Sequence, residues 1–122
     1  MSELHTVRPG TALARLIEDA GEDWARFTRH RFVEDLAAGT LDPVAFRYYL
    51  VQDYRFLVHF SRAWALVAVK SEDVDDIKSA ASLVHTLIDD ELKLHIETCA
   101  GWGLSHDELK ATPEDPANAA YT

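Results

Sequence analysis

The sequence predicts an all-α protein, and three observations carry that reading. Apolar residues recur at steps of three and four along most of the chain, the spacing of one helix face. No segment alternates apolar and polar residues as a half-buried strand would, and no internal repeat is visible. Helix punctuation also stands where the periodicity starts and stops: Gly39, Asp42-Pro43, Gly101 with Gly103, and Ser105 with Glu108.

Taken in order, residues 1–10 read as a loose lead-in. From Thr11, the residues Leu13, Leu16, Ile17, Ala20, Trp24 and Phe27 repeat at helical spacing to near His30. Gly21 lies inside that expected helix, at a cost of about 1 kcal/mol against alanine. A short helix over Phe32 to Ala38 follows, with Gly39 as its C-cap. The longest element runs from Asp42 to Ser71. Asp42 caps its start, and Pro43 suits the first helical position, where no amide donor is needed. Phe46, Leu50, Leu57, Phe60, Trp64 and Val67 form its expected core stripe.

Ser71, Glu72 and Asp73 make a polar turn, and a second long helix is expected from Val74 to Ala100. It carries two adjoining stripes, Ala80-Leu83-Leu87-Leu94 and Ile77-Ala81-Val84-Ile88-Glu91-His95, so it should meet more than one neighbour. Ser105 and Glu108 match a capping box for one more short helix. Pro113 and Pro116 break the chain, and Ala117 to Thr122 opens a further element. Residues 1–122 are therefore expected to form a single all-α domain. Its two long and few short helices close a core poorly, so the expectation is a bundle completed by a second half or another chain.

Composition narrows the function. The chain is 48% hydrophobic, enough for a packed core, and its formal charge is −9 from 21 acidic and 12 basic residues. Nucleic-acid binders need clustered Lys and Arg, so phosphate backbones and anionic membrane surfaces are poor partners. The single cysteine, Cys99, permits no intrachain disulfide and fits a reducing compartment. The start, MSELHTVRPG, lacks the basic-then-apolar pattern of a signal peptide, and the apolar run Ala63 to Val69 is too short for a bilayer. A cytoplasmic location is the expectation.

One residue on the long core stripe is wrong for a core. Asp53 lies between Leu50 and Leu57, and an unpaired buried carboxylate costs several kcal/mol. It needs either a structural partner, such as Arg15, Arg26, Arg62 or a tyrosine, or a ligand. Phe56, three residues on, is its neighbour on the helix. An acid beside an aromatic face suits a flat, amine-bearing heterocycle, with hydrogen bonds at the edge and stacking on the ring. Glu91 and His95, four apart, should project from one face as metal ligands, an acid/base pair, or a partly solvated pair. Di-iron bundles use Glu-x-x-His instead, so the spacing speaks against metal. Cys99 has no Lys or Arg within one turn and reads as a packed thiol.

The segments FVEDLAAGTL and FRYYLVQDYRFLVHFSRAWALVAVKS, with DDELKLH and the terminal AAYT, resemble the TenA family, the class II thiaminases of thiamin salvage. The resemblance covers about residues 15 to 122. It implies a haem-oxygenase-like helical bundle, present here as its N-terminal half, since family chains are roughly twice this length. It also implies hydrolysis of aminopyrimidines, or of thiamin, without metal or organic cofactor, by a homotetramer. On the same resemblance, Asp53 contacts the pyrimidine nitrogen and amine, Tyr121 is a pocket tyrosine, and Glu91 is an acidic position near the pocket. Phe56 stands where many relatives have Tyr. The family's nucleophilic cysteine and acid/base glutamate belong to the second half, and Cys99 does not align with that cysteine. Two rival expectations are a non-catalytic pyrimidine-binding protein on the same fold and a di-iron oxidase using Glu91 and His95.

Overall fold

A computed structural model describes residues 7–122; of the expected lead-in over residues 1–10, residues 1–6 lie outside the described residues. All elements of the described residues are helical. The chain divides into two compact units, Met1–Leu41 and Asp42–Thr122.

The first unit holds α1 (Ala12–Ala20), α2 (Glu22–Thr28) and α3 (Arg31–Ala38). Thr11 Oγ1 accepts from the Ala14 amide at 3.2 Å and starts α1. The helix expected through Gly21 is in fact two. Gly21 adopts φ 56°, a left-handed angle only glycine takes without strain, and it ends α1 and leads into α2. Gly39, at φ 73°, ends α3 as expected.

The second unit is built on α4 (Pro43–Lys70). Asp42 caps it through its carboxylate, which accepts from the Val44 amide at 2.9 Å, with Pro43 in the first turn. α4 packs along α5 (Val74–Thr86), a π-helical turn (Leu87–Leu92) and α6 (Lys93–Gly101), which follow one another without a break. Asp73 Oδ1 starts α5 by accepting from the amides of Asp75 and Asp76. α7 (His106–Ala111) has the expected capping box: the Ser105 amide donates to Glu108 at 2.9 Å and the Glu108 amide donates to Ser105 at 3.2 Å. α8 (Pro116–Tyr121) is capped by Asp115.

The core gathers Tyr54, Leu57, Leu87, Leu92, Cys99 and Leu109, with Leu50, Val51, Phe56, Trp64, Ile96, Trp102 and Leu104 against it. This shifts the expected stripe on α4. Tyr54, Leu57 and Ser61 are buried, whereas Phe60 and Val67 are partly open. The second long helix also differs, and the π turn is the reason. One extra residue in a turn advances the buried face by five rather than four. Leu87 is followed inward by Leu92, and Cys99 continues that face, while Leu94 is 61% exposed.

Polar ties fix the C-terminal segment to α4. Gln52 is buried; its amide nitrogen donates to the Pro113 carbonyl at 3.0 Å, and its amide oxygen accepts from the Asp115 backbone N–H at 2.8 Å. Asn118 donates to the Gln52 carbonyl at 3.1 Å. Among the described residues no buried side-chain nitrogen or oxygen lacks a partner, as buried polar groups require. No helix of the described residues is long and apolar enough to cross a membrane.

Candidate binding site at Asp53

Asp53 sits midway along α4, and the π turn decides what faces it. Without that turn, Glu91 and His95 would share a face. With it, Glu91 turns to solvent, and His95 points at α4, its side chain only 12% exposed. His95 Nε2 lies 2.8 Å from Asp53 Oδ2. Its other ring nitrogen, Nδ1, lies 2.7 Å from the Glu91 carbonyl oxygen. Glu91 therefore meets the site through its backbone. Asp53's structural partner is thus an imidazole, not one of the arginines its burial had suggested; Arg26 pairs with Glu22 and Asp23.

The pairing is incomplete. The Asp53 side chain keeps 23% exposure, and among the described residues Oδ1 takes no hydrogen bond. Tyr49, one turn earlier on α4, lies in its field. Burial pushes the Tyr49 phenol up, and the negative charge of Asp53 adds to the rise. An open carboxylate oxygen of fixed orientation accepts one N–H from a ligand, and an anionic acceptor makes the stronger kind of hydrogen bond.

Phe56 and Tyr121 come together: their ring centroids are 5.5 Å apart, tilted by 38°. Phe56 also stacks on Phe60 at 5.4 Å, and Phe60 meets Trp64 edge-on at 6.2 Å. Asp53 is thus followed along α4 by a run of aromatic rings reaching α8, and Tyr121 itself is 78% exposed. Two surface hollows, of about 640 Å³ beside Lys93 and about 240 Å³ beside Arg55, are lined by other residues. Among the described residues no three His, Cys, Asp or Glu side chains converge as metal ligands would. Cys99 is buried, and burial pushes its thiol up, which suppresses the reactive thiolate.

His95 was visible in the sequence as part of the inward stripe, but its role as the partner of Asp53 was not. A histidine on the helix packed against a buried acid was the available signal. A shift of one residue in hydrogen-bond register decided which of Glu91 and His95 would arrive.

The class of molecule this defines is a helical bundle presenting a half-open acid, braced by an imidazole, next to an aromatic run. The chain belongs to the TENA/THI-4/PQQC family, which it matches over residues 18–122. It is 37% identical to an uncharacterized protein of Haemophilus influenzae over 90% of this chain and 51% of that one. It is 30% identical to the aminopyrimidine aminohydrolase of Halalkalibacterium halodurans over 89% of this chain and 49% of the enzyme. The crystal structure of a TenA family transcription regulator from Silicibacter sp. TM1040 superposes with a TM-score of 0.82 at 46% identity, over 92% of this chain and 50% of that one. The chain spans about half the length of these relatives.

Proposed function

We propose that the protein hydrolyses aminopyrimidines, thiamin breakdown products or thiamin itself, with Asp53 holding the pyrimidine edge. The observation that carries this reading is that, among the described residues, Asp53 Oδ1 takes no hydrogen bond on a carboxylate otherwise fixed by His95. The aminohydrolase relatives supply the substrate class. In the reaction, an activated nucleophile or water attacks the carbon bearing the departing group. The bond to that group breaks, and the amine or thiazole leaves with the electron pair. Asp53 accepts the N–H of the ring's amine and orients the ring, contributing mainly by positioning. Phe56 and Tyr121 offer aromatic surface for stacking, and Glu91 contributes its backbone carbonyl, which holds His95.

The exposed apolar side chains of the second unit, Val58, Phe60, Val67, Leu83, Ile88 and Leu94 among them, fit a protein that buries them against further polypeptide. A homotetramer is the expected assembly, to be read by sedimentation equilibrium.

The test is calorimetric titration of the protein with 4-aminopyrimidine, paired with an ammonia-release assay on an aminomethyl-aminopyrimidine. Binding with release supports the hydrolase. Binding without release moves the protein to the non-catalytic binders. No binding at all, or equal binding by Asp53→Asn, removes the reading.

A further inference from the structure

His95 is held at both ring nitrogens, and that fixes where protons must be. A carbonyl oxygen has no proton to give, so the 2.7 Å contact with Glu91 requires N–H at Nδ1. A neutral ring would then present only a lone pair at Nε2. An ionised carboxylate is likewise an acceptor alone. Two acceptors at 2.8 Å would repel, so one further proton lies between Nε2 and Asp53 Oδ2. The pair therefore carries one proton more than a neutral imidazole beside a carboxylate, and that proton belongs to the pair as a unit.

We propose that His95 is a positioning residue for ligand recognition. Its second proton occupies Oδ2, fixes the carboxylate, and leaves Oδ1 as a single oriented acceptor for an amine-bearing ring. The inference rests on the reading of Asp53 as the ligand-binding acid. It also alters that reading: Asp53 offers the amine one oxygen, not two.

Tyr49 on α4 lies in the field of Asp53, and Glu91 contributes its carbonyl.

The experiment has two arms. Long-range ¹H–¹⁵N spectra of the ligand-free protein, labelled at histidine, read both nitrogens of His95 as N–H near neutral pH. A lone pair at Nε2 there overturns the proposal whatever the variants do. In the second arm, the affinity for 4-aminopyrimidine is measured in the wild type, His95→Gln and His95→Ala. The glutamine retains a donor to Oδ2, so it should keep most of the affinity. The alanine should bind about tenfold or more weakly. A loss in His95→Gln as large as that in His95→Ala, or unchanged affinity in His95→Ala, would falsify the proposal. Asp53→Asn separates the two levels. If it abolishes binding while the histidine variants change nothing, only the role of His95 fails; if it binds normally, the reading of Asp53 fails.

Discussion

Two sides of α4 each set an acid against a histidine, and the two pairs are built for different ends. On one side, His59 Nε2 meets Glu114 Oε1 at 2.6 Å, and Arg55 adds its guanidinium at 3.5 Å from the same oxygen. Arg55 also donates to the Lys110 carbonyl at 2.8 Å. On the other side, among the described residues, Asp53 has only His95 as an ion-pair partner. Glu114 has more than one partner and ties the segment after α7 to α4. Among the described residues, Asp53 is matched at one oxygen and takes no hydrogen bond at the other. A carboxylate with redundant partners is a clasp, whereas one with an unused acceptor has capacity left for a ligand.

That contrast can be broken most forcefully from the clasp side. Leu109 is fully buried on α7, between the residues that reach Arg55 and Tyr54. Leu109→Ala should cost about 2–5 kcal/mol of stability in urea unfolding, through lost burial and an unfilled cavity. A cost under about 1 kcal/mol would mean α7 does not anchor this side.

The Asp53 side gives the next effect. Asp53→Asn should weaken 4-aminopyrimidine binding about tenfold or more, the worth of a hydrogen bond to a charged group, with little change in Tm. The reverse pattern, a falling Tm with affinity intact, would make Asp53 a second clasp and erase the contrast. Gln52→Ala should cost about 1–3 kcal/mol by leaving the Pro113 carbonyl and Asp115 N–H without their partner, and it should leave affinity near wild type.

The smallest effect is on pH. The hydrogen bond from His59, aided by the charges of His59 and Arg55, holds the Glu114 carboxyl below its usual value. Asp115 is lowered as well, first by the bond from Tyr48 and then by the Ala117 amide. A carboxyl depressed in the folded state stabilises the fold above its unfolded value of about 4. That contribution is lost as pH falls through the folded value. The Tm gap between wild type and Glu114→Gln should therefore be present near neutrality and close below about pH 4. A gap that grows on acidification would mean the clasp works by something other than charge.

Much of the helical layout was legible because its signals are local. Asp42-Pro43, Gly39, Asp73 and the Ser105–Glu108 box each act within about one turn, so they announce a boundary wherever they fold. Gly21 was misread for a related reason. A glycine inside a periodic run is tolerated in many helices, and only its realised φ shows that this one ends a helix.

By itself the sequence determined the all-α class, the length and start of α4, the family, and the presence of a suspicious acid at Asp53 beside Phe56. Only the tertiary structure decided that Leu92 would follow Leu87 inward, that Glu91 would turn out and His95 in, and that Asp53 would keep one oxygen open. The physical reason is that caps and periodicity are settled among neighbours along the chain. A π turn is held in place by what it packs against, here the long face of α4.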